Sequence, residues 1–426
     1  MFSEFTKQLL SKSNGFDFVA AHFACEKDKF SESNPNGFVN LGSAQNFLGK
    51  TAIESRLKAL EWNLADTPYR DFAGTESSRT AVANYLQQIS GRSVDPKHVV
   101  IGNGLVSVLE AISIAILDTG DHVLVTTPIF PGLVTALISR TQANFIPLET
   151  TADQQFQLSP AILQEKLEFQ LKQDRPVKAV LLCSPGNPIG QVFTAAEIQQ
   201  FVKIAEDFNV ALVVDEIYAS SCFDGVDFTS ALTANSDNVI TIGGLSKDFG
   251  LAGYTTAWAC TRNEYILKAL QKQSHFFRLS APIQRAIETF LEPEWQIPFT
   301  QSNRTKLGQH YADTCKELSE LGVEVTPAQA GLVAWLDLRS FLKAADDESQ
   351  LELYRYLLEQ HRVHLSPGSG FHCQTPGFFR ICFSQEQETL REGLRRLQQG
   401  LCQYQNNNTT KSVSYTHLTL PTICSV

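Results

Sequence analysis

Four side chains in the middle of the chain are of types that a folded core would not bury without a use. They are Asn187 in SPGNPIG, Asp215 and Tyr218 in VVDEIYASS, and Lys247 in GGLSKDFG. Each lies just beyond a short apolar run: Ala179–Cys183, Val210–Val214 or Val239–Ile242. Short β-branched runs bounded by glycine or polar residues read as buried strands. Ligands of open α/β sheets sit beyond the carboxyl ends of the strands, so an amide, a carboxylate, a phenol and an amine should meet in one crevice, with Ser246 beside the lysine. A lysine can hold an aldehyde as a Schiff base, a carboxylate can keep a pyridine nitrogen protonated, and an amide with a phenol can bond a ring oxygen. That set suits pyridoxal 5'-phosphate (PLP).

The elements that must position these groups alternate between strand and helix. SPAILQEKLEFQL reads as an amphipathic helix with Ser159 as N-cap and Pro160 in its first turn, and TAAEIQQFVKIAEDF reads as another, capped by Thr194. His98–Leu117 reads as strand, glycine turn and helix, and Asp121–Gly132 as a strand ending in a loop. A helix opens at Thr75–Glu76 with Ala81, Val82 and Tyr85 on its apolar face. This alternation predicts an α/β fold with a mostly parallel sheet covered on both faces. Asn263–Leu291 reads as long helices, the second bridging two lobes; a helix over Gln301–Leu321 follows, and LVAWLDL then alternates like a half-exposed strand of a smaller α+β lobe. The expected division is an arm over 1–55, a large domain over 56–292, a small domain over 293–405, and an appended tail over 406–426 that takes no part in the fold.

The order of N-P-x-G, D-E-I-Y and S-K resembles that of the class I/II aminotransferases, which are fold type I PLP-dependent enzymes. Within them the chain is most similar to aminocyclopropane-carboxylate synthase-like enzymes. The likeness runs from NPNGFVNLGSAQN (Asn34–Asn46) to PGFFRICFS (Pro376–Ser384). It implies a seven-stranded sheet with a smaller α+β domain and a PLP Schiff base on Lys247, held by Asp215, Tyr218 and Asn187. Phe130 would stack on the pyridine ring, the backbone of Gly104, Leu105 and Val106 would cradle the phosphate, and Tyr69 would reach a neighbouring copy's phosphate in a homodimer with shared sites. Arg380 and Asn187 would take the substrate carboxylate, with the Gly42–Ala44 turn and Gln45 close by. Guanidinium matches a carboxylate because its donors meet both oxygens.

The chain also departs from the family. A serine usual three residues before the lysine is Gly244, an arginine usual eight residues after it is Thr255, and a hydroxyl usual at the phosphate turn is replaced by Leu105 and Val106. Arg70, Arg278 and Ser280 are the nearby replacement donors. The synthases carry glutamate where Gln45 stands, and an amide offers no anionic contact to a cationic sulfonium substrate. The resemblance therefore implies a synthase-like reaction on an α-amino acid, by γ-elimination, replacement or cyclisation. Aminotransfer is the alternative, and a non-catalytic binding protein on the same fold a second.

Bulk properties narrow the setting. A hydrophobic content of 43% with 19% charged residues fits a globular chain with ample core, and a net charge of −10 without basic runs excludes a nucleic-acid surface. No run is long enough to span a membrane, and the start lacks a signal-peptide pattern. Nine cysteines without metal spacing read as reduced thiols of a cytoplasmic protein, and no metal site is expected.

Overall fold

The computed structural model describes residues 2, 6–7, 18–61 and 63–415, with side chains described as far as 407. Its frame is a seven-stranded sheet. In chain order the strands are β1 (Val99–Asn103), β2 (His122–Thr127), β3 (Asn144–Glu149), β4 (Val177–Cys183), β5 (Ala211–Asp215), β6 (Val239–Gly243) and β7 (Thr256–Thr261). They lie side by side as β1-β7-β6-β5-β4-β2-β3. β7 runs antiparallel to both its neighbours, and the other pairings are parallel.

Alternation along the strands explains why both faces are covered. Val123 and Val125, Ala179 and Leu181, and Ile240 and Ile242 point into one apolar cluster. Leu124, Val180, Leu182, Leu212 and Val214 point into the opposite one. Successive strand side chains face opposite ways, so continuous apolar runs such as AVLLC are what a doubly covered sheet requires. The helices Leu105–Ile116, Pro131–Ile138 and Glu264–Phe277 close the first face, and Pro160–Lys172 and Ala195–Asp207 close the second. Thr194 caps its helix through a reciprocal capping box with Glu197, and Thr75 accepts from the Ser78 N–H at the start of Glu76–Ser90. Ser159 stands at the N-cap of Pro160–Lys172 without a side-chain cap bond.

A second sheet has four strands: β8 (Glu324–Val325), β9 (Val333–Asp337), β10 (Ser366–Pro367) and β11 (Phe378–Cys382), ordered β10-β11-β9-β8. Three expectations are corrected in this region. First, β9 is buried on both faces, with Leu336 in the cluster beneath the sheet and Trp335 among Phe156, Phe371 and Phe378 on the other side. Second, the helix joining the sheets is Pro293–Glu320, longer than expected, with Phe299 in a cluster of the large sheet and Leu307 and Leu318 in that of the small one. The helix expected to bridge, now Ala281–Phe290, packs on Glu76–Ser90 instead. Third, the last helix runs from Gln387 to Tyr415, past the expected break at 405, and the remainder of the appended tail lies outside the described residues. So does most of the start of the chain on which the signal-peptide reading rested.

The arm is more ordered than its lack of periodicity implied. It holds the helices Phe18–Glu26 and Lys50–Lys58, and between them Val39–Asn40 pairs with Val363–His364. That pairing delivers the Gly42–Ala44 turn to the ends of β5 and β6.

Candidate active site

β4, β5 and β6 end side by side, with Cys183 in register with Asp215 and Asp215 with Ile242. Their loops bring Asn187, Asp215, Tyr218 and Lys247 together, as the sequence implied. The Asn187 side-chain amide donates to the Tyr218 hydroxyl at 3.3 Å. Arg380, from the middle of β11, donates through Nη1 to Asn187 Oδ1 at 3.0 Å and through Nη2 to Gly42 O. The Lys247 amine donates to Ala44 O at 2.8 Å. Two sheets and the arm therefore meet at one group of side chains.

Burial sets the chemistry of this group. Asp215 is 2% exposed; its Oδ1 accepts the Ile217 N–H at 3.1 Å. Desolvation raises its carboxyl to about 7, against the opposing pull of the Ile217 N–H and the Lys247 charge. Desolvation and the nearby Arg380 charge lower the Lys247 amine to about 8. Burial pushes the Tyr218 phenol well above its usual range. Arg380 lies under the Phe371 ring, 4.7 Å from its centre, and its Nε–H is buried without a partner among the described residues. Guanidinium has five N–H donors. With two of them directed at Asn187 and Gly42, donors are left for an anion.

Ala44 closes the group through its backbone oxygen, and Ser246 is half-buried beside Lys247. Phe130 precedes the helix Pro131–Ile138 and packs between the large sheet's core and the aromatic cluster around Trp335. The Ile129 N–H on its loop donates to Phe371 O at 2.9 Å, tying it to the ring over Arg380. Gly104, with φ of +84°, stands at the N-cap of Leu105–Ile116 without a side-chain cap, so Leu105 and Val106 open that helix with backbone donors facing outward. Leu105 packs inward, whereas Val106 is exposed.

Among the described residues, the side chains of Gln45 and Tyr69 make no bond to the Lys247 group; Tyr69 is the residue expected to serve a neighbouring copy's site. Gln45 holds the site only through its backbone, its carbonyl accepting from Ser384 Oγ at 2.7 Å. It lines a small cleft with Glu26, Lys29, Asn40, Thr389 and Ser43, the last from the Gly42–Ala44 turn. Tyr69 is 84% exposed and touches none of the Lys247 group; Arg278 lies over its ring and that of Phe72.

The structure explains two departures of sequence. A Cβ at Gly244 would come within 2.3 Å of Thr256 O on the adjacent strand, so no hydroxyl residue fits there. Thr255 takes a left-handed backbone, and its hydroxyl donates to Asn103 Oδ1 at 2.6 Å. Thr255 and Asn103 open onto a cleft of about 480 Å³ that is also lined by Glu61, Arg278, Ser280 and Arg285. Arg285 is committed to Asp66 at 2.6 Å, whereas Arg278 has no carboxylate partner among the described residues.

Sequence reading missed Asp248. It is buried next to Lys247 and accepts from two residues of the Tyr218 turn. Its identity was visible in SKDFG, but nothing local shows what lies opposite.

These features define a class of protein. Residues 36–397 match the aminotransferase class I and II family. The chain belongs to that family and is a PLP-dependent enzyme of the fold type I architecture. It is 30% identical to 1-aminocyclopropane-1-carboxylate synthase 5 of Arabidopsis thaliana, over 92% of this chain and 90% of that one. It is also 30% identical to the 1-aminocyclopropane-1-carboxylate synthase of Nicotiana tabacum, over 85% and 79%. Among solved structures, aspartate aminotransferase from Thermus thermophilus with maleate superposes with a TM-score of 0.76 at 22% identity, covering 94% of this chain and 99% of that one. N-Succinyldiaminopimelate aminotransferase from Mycobacterium tuberculosis gives 0.77 at 21% identity, covering 94% and 100%. Family membership sets aside the non-catalytic reading. Among the described residues, no helix is long and apolar enough to cross a membrane.

Proposed function

We propose that the enzyme acts on an α-amino acid through Lys247, with a synthase-like outcome at the substrate's γ-carbon. The supporting observation is the continuous chain Arg380–Asn187–Tyr218 beside Lys247 and Asp215. The donor set fits the cofactor: an amine held below its usual range, a buried carboxylate without an ion pair among the described residues, and an orphaned guanidinium N–H. PLP supplies an electrophilic aldehyde and a ring that takes up the electron pair left when the α-proton departs.

The chain's own residues do the rest. Lys247 Nζ would hold the cofactor and serve as the base toward the α-proton; an amine near 8 is partly unprotonated at neutral pH. Asp215 holds a proton on the ring nitrogen, the charge that its burial otherwise leaves unpaired. Tyr218 and Asn187 would hold the ring oxygen, Phe130 would pack on the ring, and Arg380 would orient the substrate carboxylate. The backbone of Gly104, Leu105 and Val106 takes the phosphate, and Arg278 supplies the cation that Thr255 does not. Two copies pair over the face bearing the exposed Tyr69, Val106 and Phe276, and each site takes Tyr69 from its neighbour.

Aminotransfer is the second reading, and Gln45 favours it. Its side chain is an uncharged amide, so this position offers no carboxylate to a sulfonium substrate. Product analysis with a panel of α-amino acids separates the two. Release of a γ-substituent supports the synthase-like reading, and a 2-oxo acid with a stable γ-carbon overturns it in favour of aminotransfer.

A further inference from the structure

Lys247 and Tyr218 come from different loops, and a catalytic pair of that kind needs something to hold its spacing. Asp248 lies between the loops. Its Oδ2 accepts the Ser220 N–H at 2.7 Å and its Oδ1 accepts the Ser221 O–H at 2.5 Å. The Ser221 N–H in turn donates to Tyr218 O at 2.9 Å, closing the turn that starts at the phenol-bearing residue. From the other side, Ser220 Oγ meets the Tyr85 hydroxyl at 2.8 Å. A buried carboxylate is costly to keep. Asp248 is 2% exposed, makes no ion pair among the described residues, and is pushed up to about 7 by desolvation. Its two acceptor bonds run only to the Tyr218 turn.

We propose that Asp248 is a positioning residue: it fastens the Tyr218 turn to the Lys247 loop and so fixes the phenol relative to the amine. The inference rests on the reading of Lys247 as the cofactor-bearing amine. Asparagine can keep the fastening, its carbonyl accepting from Ser220 N–H and its NH₂ donating to Ser221 Oγ, whereas alanine cannot.

The test is a pH titration of the visible band of the PLP-loaded full chain, in wild type, Asp248→Ala, Asp248→Asn, Tyr218→Phe and the Asp248→Ala/Tyr218→Phe double variant. The band's midpoint reports the phenol–amine spacing, which a merely structural residue does not move. The expected result is a displacement of about one pH unit in Asp248→Ala, little change in Asp248→Asn, and no further displacement when Asp248→Ala is added to Tyr218→Phe. A wild-type midpoint in Asp248→Ala overturns the inference, as does a displacement that adds in full to that of Tyr218→Phe. If Asp248→Ala does not fold, Ser221→Ala, which removes one of the two bonds, must shift the midpoint in the direction that Tyr218→Phe does, and an unmoved or oppositely shifted midpoint overturns the proposal. Absence of any Lys247-dependent band in wild type would overturn the reading of Lys247 and this inference with it; a normal band indifferent to residue 248 overturns the inference alone.

Discussion

Asp215 is a buried carboxyl without an ion pair among the described residues, and that makes it a source of instability with a definite pH signature in the cofactor-free protein. Its carboxyl titrates near 3.8 in the unfolded chain and near 7 in the folded one. The folded state therefore binds this proton more tightly, and stability falls as pH rises through that window. Asp215→Asn removes the effect while keeping an acceptor for the Ile217 N–H. A shift of roughly three pH units at about 1.4 kcal/mol each is on the order of 4 kcal/mol. The asparagine variant should accordingly match wild type near pH 4 and exceed it by up to that amount at pH 8. Asp248 and Glu216 are raised as well, to about 7 and about 8, chiefly by burial that both proteins share; the Asp215 charge adds a smaller push to each, so the difference is dominated by Asp215. Urea denaturation of the cofactor-free proteins across this range measures it. Saturating PLP should reverse the order, because the protonated ring nitrogen pairs with the aspartate and not with the amide. A stability difference that does not change between pH 4 and pH 8 would refute the reasoning.

Two further outcomes concern the phosphate side of the site. Gly244→Ser should lower stability by about 1–3 kcal/mol through overpacking against Thr256 O, seen as a lower urea midpoint, and should not tighten PLP binding. Arg278→Ala should weaken PLP binding by roughly 10- to 100-fold, the size of a charge-assisted hydrogen bond. It should leave binding of pyridoxal, which lacks the phosphate, unchanged; equal losses for both ligands in a spectrophotometric titration would remove Arg278 from the phosphate cup.

What the sequence disclosed and what it hid follow from how local each signal is. The ends of β4, β5 and β6 were legible because apolar runs stop abruptly at Cys183, Val214 and Ile242, a few residues before Asn187, Asp215 and Lys247, and Thr194 announced its helix through the glutamate three residues on. Long-range covers were not legible. LVAWLDL alternates like a half-exposed strand, yet Phe156, Phe371 and Phe378, from three other segments, cover the face that seemed free. Pro298 obscured the start of the joining helix, which runs through it. Gly244 looked like a lost ligand, and only the neighbouring strand shows that the backbone leaves no room for one. Gln45 was placed near the substrate by the resemblance; its carbonyl accepts from Ser384 Oγ, and the residue lines a small cleft with Asn40 and Ser43, a packing that the sequence does not reveal.

The central claim is that Lys247 binds the cofactor covalently in this site. The most direct measurement is the visible absorption spectrum of the full chain after incubation with PLP and dialysis, beside that of Lys247→Ala. The account predicts a band that survives dialysis in wild type and is missing from the alanine variant. No band in wild type, or the same band in both, would contradict it.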